Sequence, residues 1–172
     1  MEIEHKILPN NEVIAGVINA LESIPRVVLP VRGYSMLPFI IGDVDSVELV
    51  KPEKVEVGDV DSVELVKTQS VEVGDVILAW INGSRYVVHR VIKVDGDNVQ
   101  LMGDGNLGGD EHCKISDVAA KAEYVVSPNG KRTYLYSPGQ IRASRLWWKI
   151  KPVRRWILAI YRRTVLKWKI KK

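Results

Sequence analysis

Apolar and polar positions change rhythm three times along the chain. Over residues 12–23, Val13, Val17, Ile18 and Leu21 recur at i, i+4, i+5 and i+8, which predicts a short amphipathic helix that Pro25 stops. From Val27 to about Tyr136 the rhythm is that of β-strands, with runs rich in valine and isoleucine separated by turn-forming pairs. Val76–Ile81 runs into Asn82-Gly83, residues 86–94 run into Asp95-Gly96, and Asn98–Met102 follows. Asn-Gly and Asp-Gly supply the positive φ that two-residue hairpin turns need, so these runs are expected to pair as antiparallel neighbours. A later strand over residues 122–126 is expected to turn at Pro128-Asn129-Gly130 into residues 131–136. After Pro138-Gly139, Trp147, Trp148, Ile150, Val153, Trp156, Ile157, Ile160, Tyr161, Val165, Leu166 and Trp168 alternate with arginine and lysine. Pro152 should break or kink this stretch, leaving a helix from about Val153 to Trp168.

The pattern divides the chain into an N-terminal helical segment (1–26), a mainly β domain (27–137) and a basic, tryptophan-rich C-terminal helix (138–172). One feature interrupts the β domain. Residues 42–57 (GDVDSVELVKPEKVEV) and 58–73 (GDVDSVELVKTQSVEV) agree at 13 of 16 positions. Two copies are too few for a solenoid, so this is read as a local tandem duplication. An insertion of even length keeps inward and outward faces in phase, so an extra hairpin or a longer loop is expected. Which copy occupies the original strand is open at this level.

Length and composition fit one globular domain with its own core: 172 residues, 46% hydrophobic and 27% charged. The single cysteine, Cys113, excludes an intramolecular disulfide. Charge is unevenly placed. Residues 124–172 hold 14 Lys/Arg and no Asp/Glu, whereas the first 123 residues hold 11 basic against 21 acidic side chains. Such a tail suits an anionic surface. Basic residues on one face and Trp, Ile and Leu on another describe a helix lying in a membrane interface, so residues 147–172 are expected to associate peripherally with an anionic membrane. A helix packed on the body with a solvated basic face is the alternative, and nucleic acid is the least expected partner. The start has no basic stretch followed by an apolar one, and no apolar run approaches the ~20 residues of a membrane span. The expected location is therefore cytoplasmic or peripheral at the membrane.

The stretch with chemical promise is Val31-Arg32-Gly33-Tyr34-Ser35-Met36-Leu37-Pro38. Glycine two residues before a serine and proline three after it suit an exposed nucleophile where a strand enters a turn. Backbone N–H groups near Ser35 could then form an oxyanion hole. Further on come Gly74-Asp75-Val76-Ile77, Val88-His89-Arg90-Val91-Ile92 and Gly103-Asp104-Gly105-Asn106. This order of boxes, spanning roughly residues 31–126, resembles the signal peptidase I family, and within it the subfamily whose general base is histidine. The related self-cleaving domains of SOS-type repressors share the serine box but place a lysine where this chain has His89. The resemblance implies an antiparallel β fold of the signal-peptidase and repressor-C-terminal kind, with the short N-terminal helix and the basic C-terminal helix as additions.

It also implies a serine endopeptidase acting on a polypeptide, with no metal or cofactor, and with small side chains preferred just before the cut. Ser35 falls on the family's nucleophile and His89 on its general base. A serine hydroxyl is a poor nucleophile at neutral pH unless a neighbouring base accepts its proton, and histidine is suited to that task. Asp110 falls on the aspartate that follows the Gly-Asp-x-Asn box and is the first choice to orient the imidazole. Asp104, inside that box, is the alternative third member, or else holds the turn that shapes the site. Lys93 shares the His89 face by parity but lies outside the boxes. His5 and His112 read as surface residues, the latter in a loop. Cys113, near His112, Asp110 and Glu111, lacks metal-ligand spacing and reads as an incidental thiol. The competing function is a non-catalytic module that binds peptide or membrane on a peptidase fold. The duplication lies where the family builds part of its substrate groove, so it bears on specificity and access.

Overall fold

The computed structural model describes residues 10–52, 54–57, 66–69 and 71–166. Helix α1 (Asn10–Ser23) opens the chain and buries Ile14 and Leu21, with Val17 and Ile18 half-buried against the same core. Val13 instead faces solvent. The stripe in use is 14/17/18/21, the i, i+3, i+4, i+7 set of one helix face, which displaces the expected set by one member.

The body is mainly β and antiparallel throughout. Strands β1 (Val27–Pro30), β2 (Ser46–Val50), β5 (Val76–Ile81), β6 (Arg85–Asp95), β7 (Asn98–Met102), β8 (Glu111–Lys114) and β9 (Val118–Val126) form one curled half-barrel sheet. Its order is β1-β2-β9-β5-β6-β7-β8, and β10 (Arg132–Tyr134) pairs with β9. The expected hairpins are present: β5 turns into β6 through Asn82 (φ 52°) and Gly83 (φ 64°), and β6 turns into β7 at Gly96 (φ 55°). Positive φ at Asn82, Gly83 and Gly96 is what these turns require, but the β5–β6 loop spans three residues (82–84) and the β6–β7 turn is Gly96-Asp97, with Asp95 still paired to Asn98.

Strand β5 divides two cores. Val76 and Leu78 join Leu29, Val47, Leu49 and Ala122 on one side, while Ile77, Ala79 and Ile81 join Val91, Val99, Leu101 and Val118 on the other. Successive strand residues point to opposite faces, so a strand covered on both must be apolar without alternation, as Val-Ile-Leu-Ala-Trp-Ile is.

The duplication resolves simply. The first copy supplies β2 to the main sheet. The end of that copy, β3 (Lys54–Val57), pairs with β4 (Val66–Gln69) from the second, as a separate two-stranded hairpin with Lys54 opposite Gln69 and Val57 opposite Val66. Because β3 and β4 pair only with each other, deleting residues 52–67 should leave the main sheet in register and join Lys51 to Thr68 with one copy intact. Loop-closure entropy changes by only ~0.6 kcal/mol per doubling of loop length. The deletion variant is expected to keep its urea midpoint within ~1 kcal/mol of the parent; a loss of several kcal/mol would mean the hairpin supports the body.

The C-terminal region departs from expectation. Pro138-Gly139 do not precede the helix but begin it: α2 runs Pro138–Lys149, with the Ser137 hydroxyl accepting from the Gln140 N–H at 3.4 Å. Proline lacks only an N–H that the first turn leaves unpaired anyway. Pro152 lies in the break before α3 (Arg154–Tyr161), after which Arg162–Leu166 form a π-helical turn. Part of the tail is packed on the body: Trp147, Leu158 and Leu166 are buried with Leu37 and Ile41 in a third core. Trp168 and His5 lie outside the described residues. No described helix is long and apolar enough to cross a membrane.

Candidate functional site

Ser35 sits in a turn that the rest of the chain holds by its backbone. Val31 N–H donates to the Asp45 carbonyl (3.1 Å) and Asp43 N–H to the Val31 carbonyl (2.7 Å), closing the base of the loop. The Asp45 carboxylate accepts from Ile41 N–H at 2.9 Å. Gly42 packs directly on Gly33, where an added Cβ would lie 1.8 Å from the Gly33 carbonyl oxygen. The Gly103-Asp104-Gly105-Asn106 turn then forms a cradle. Gly105 N–H donates to the Ser35 carbonyl at 2.6 Å. A Cβ on Gly103 would meet that same oxygen at 2.4 Å, and one on Gly105 would meet the Tyr34 carbonyl oxygen at 2.5 Å. Both glycines are thus required by close backbone approach.

Asp104 locks the cradle. It is fully buried, and its carboxylate takes a forked bond from Arg90, Nε at 3.0 Å and Nη2 at 2.8 Å. Trp148 Nε1 donates to the same carboxylate at 3.1 Å, and Trp147 Nε1 donates to the Asp104 carbonyl at 2.7 Å. Arg90 also reaches the Gly74 carbonyl at 2.8 Å. His-Arg-Val, Gly-Asp-Val and Gly-Asp-Gly-Asn therefore meet in one buried polar knot beneath the serine turn.

His89 lies on β6 opposite Ile77 and is almost wholly buried. Its Nδ1 is 2.6 Å from Glu111 Oε2, and the other carboxylate oxygen accepts from Arg85. Burial pushes the imidazole pKa below its ordinary 6.5, with the Glu111 carboxylate pulling the other way. The ring is therefore neutral at neutral pH. With the Glu111 carboxylate as its partner, the tautomer with the proton on Nδ1 is favoured, leaving Nε2 to accept.

Ser35, His89, Glu111 and Asn106 line one cavity of about 370 Å³, whose apolar wall includes Ile14, Leu29, Val31, Leu78 and Val88. Arg32 and Arg85 also line it. Among the described residues no hydrogen bond joins Ser35 to His89.

The carboxylate hydrogen-bonded to His89 is neither of the two aspartates expected from the sequence. Asp110 does not touch His89; its side chain is largely exposed and accepts from Gln100 Nε2. Asp104 does not touch it either, being committed to Arg90 and Trp148, in the turn-holding role that was its alternative. The carboxylate on Nδ1 belongs to Glu111, one residue past the expected aspartate. Strand neighbours point to opposite faces, and β8 begins at Glu111, so the inward carboxylate is glutamate. The signal was weak because Glu-His-Cys-Lys is short and polar and does not read as a strand. His112 is on β8 rather than in a loop, exposed, and 3.7 Å from Asp110. Lys93 is at the surface, paired with Asp95 at 3.0 Å. Burial pushes the Cys113 thiol up to about 11, so it is protonated at neutral pH and no nucleophile. Among the described residues no group of three His, Cys, Asp or Glu side chains could hold a metal ion.

No family model, curated protein or solved structure matches the chain.

Proposed function

We propose that this chain is a serine endopeptidase of the signal-peptidase type, with Ser35 as nucleophile, His89 as general base and Glu111 as the group that orients the base. The observation that carries the reading is the shared cavity: a serine held rigidly by its backbone and a neutral, carboxylate-bound histidine open into the same space. His89 Nε2 takes the Ser35 proton as Oγ attacks the scissile carbonyl of a bound polypeptide. The C–N bond of the tetrahedral adduct then breaks as His89 returns that proton to the leaving amine, and water releases the acyl group from Ser35 by the same base. Glu111 fixes the tautomer and favours the imidazolium that forms. The Ser35 amide, next to the reacting oxygen, is the candidate oxyanion donor. Branched side chains on the cavity wall suit a small apolar residue before the cut.

Replacing Glu111 by glutamine tests the assignment. The variant is expected to lose roughly 10²–10⁴-fold in kcat/KM on a peptide substrate, while Asp110→Asn stays near the parent value. The pH profile carries more information. In the parent, rate should fall as pH drops through the depressed His89 value below 6.5, where the base becomes protonated. Glu111→Gln removes an anion that favours the protonated ring, so its acid limb should move to lower pH. A full rate in Glu111→Gln with a loss in Asp110→Asn would return the third role to Asp110.

A further inference from the structure

Among the described residues of the tail there are two apolar faces, one of them buried against the body. Helix α3 turns Leu158 inward and seats Arg154, fully buried, against the Trp147 and Trp148 rings and the Asn106 carbonyl. Val153, Trp156, Ile157 and Ile160 form a second stripe at i, i+3, i+4 and i+7, and all four are exposed, Trp156 by 69%. Leu146 of α2 is exposed as well. A stripe this continuous and this wet is unusual for an isolated surface helix, whose apolar residues normally face the core.

We infer that this outward stripe docks the protein on an anionic phospholipid bilayer, with α3 lying in the interface. Charge identifies the occupant. Arg142, Arg145, Lys149, Lys151, Arg155, Arg162 and Arg163 are all exposed on α2, α3 and the segments joining and following them. No acidic residue follows Glu123 in the sequence. An exposed apolar stripe on a strongly cationic pair of helices, with a tryptophan among the inserting side chains, is complementary to acyl chains beneath anionic headgroups. A second copy would bring two such strongly basic helical regions together, against Coulomb repulsion. Nucleic acid would satisfy the cations and leave the apolar stripe in water. Because Trp147, Trp148 and Arg154 bond or pack against residues 104–106, the docking face and the serine cradle form one unit. Docking would hold the cavity at a set place relative to the lipid surface.

The test uses the full chain carrying Ser35→Ala, so that lipid binding is read apart from peptidase activity. It should sediment with vesicles of phosphatidylglycerol and phosphatidylcholine and much less with phosphatidylcholine alone. Acyl-chain bromination should quench its tryptophan fluorescence, and Trp156→Phe should remove most of that quenching. The triple variant Trp156→Ser/Ile157→Ser/Ile160→Ser should bind at least tenfold more weakly with an unchanged melting temperature, since all three side chains are exposed. Three results would overturn the inference. They are no binding to anionic vesicles, equal binding by the triple variant, and a parent dimer that the triple variant converts to monomer. Equal, salt-sensitive DNA binding by parent and triple variant, without vesicle binding, would assign the tail to nucleic acid instead.

Discussion

Ser35→Ala and His89→Ala are each expected to reduce peptide cleavage by roughly 10⁴–10⁶-fold, and the double variant to be scarcely worse than either alone. The reason is that in the proposed mechanism the two groups act in one step. Without the hydroxyl there is no acyl-enzyme, and without the imidazole the hydroxyl keeps its proton and remains a poor nucleophile. Non-additivity is the informative part. Two residues that merely supported the fold would add their losses, whereas a nucleophile and its base lose the same transition state. Both substitutions should leave the fold in place: Ser35 is only half-buried, and Ala at His89 removes a side chain without stranding a charge in the core, since Glu111 retains Arg85. Initial rates on a fluorogenic peptide, with far-ultraviolet circular dichroism of each variant, check the expectation. Parent and Ser35→Ala rates that agree within twofold would end the peptidase proposal, as would additive losses in the double variant.

The second large effect concerns stability. Asp104→Asn is expected to cost ~3–5 kcal/mol, because it leaves the Arg90 guanidinium buried without its counter-charge. That is a large fraction of the ~5–15 kcal/mol by which a domain is usually stable. The pair is deep: the Arg90 and Asp104 side chains are 6% and 0% exposed. Solvent therefore screens the interaction little, unlike the surface pair of Lys93 with Asp95. The loss should also reach the proposed site, since Asp104 sits between the two glycines that receive the Ser35 turn. Arg90→Met combined with Asp104→Leu should recover part of the stability, because removing both charges abolishes the unpaired one. Urea unfolding of the three proteins decides it. A change under ~1 kcal/mol in Asp104→Asn would mean that water reaches the pair.

The duplication near the site has a smaller consequence than its length suggests. Its extra strands pair with each other, and the residues lining the cavity come from α1, β1, the Ser35 region, β5, β6 and the cradle, with Glu111 from β8. An even insertion preserves the phase of strand alternation, so Gly74 and Asp75 still enter β5 with Val76 and Leu78 on one face and Ile77 on the other.

Local chemistry alone was enough to place the β5–β6 and β6–β7 hairpins, the first helix and the serine turn. Asn-Gly and Asp-Gly demand positive φ, a 3.6-residue stripe demands a helix, and a run apolar at every position demands cover on both faces. Ser35 and His89 were singled out by the order of the motifs around them and the resemblance it carries, not by local chemistry, and the cavity they share is a product of the tertiary fold. Tertiary structure decided what no local pattern encodes. The carboxylate that holds His89 comes from β8, a polar four-residue strand whose inward face exists only because it pairs with β7. Asp104 became the lock of the cradle because Arg90 and two tryptophans, distant in sequence, converge on it. The tail's apolar residues divide between core and surface according to where α2 and α3 land. Amphipathicity records that a face is apolar; only packing settles whether the body or something else covers it.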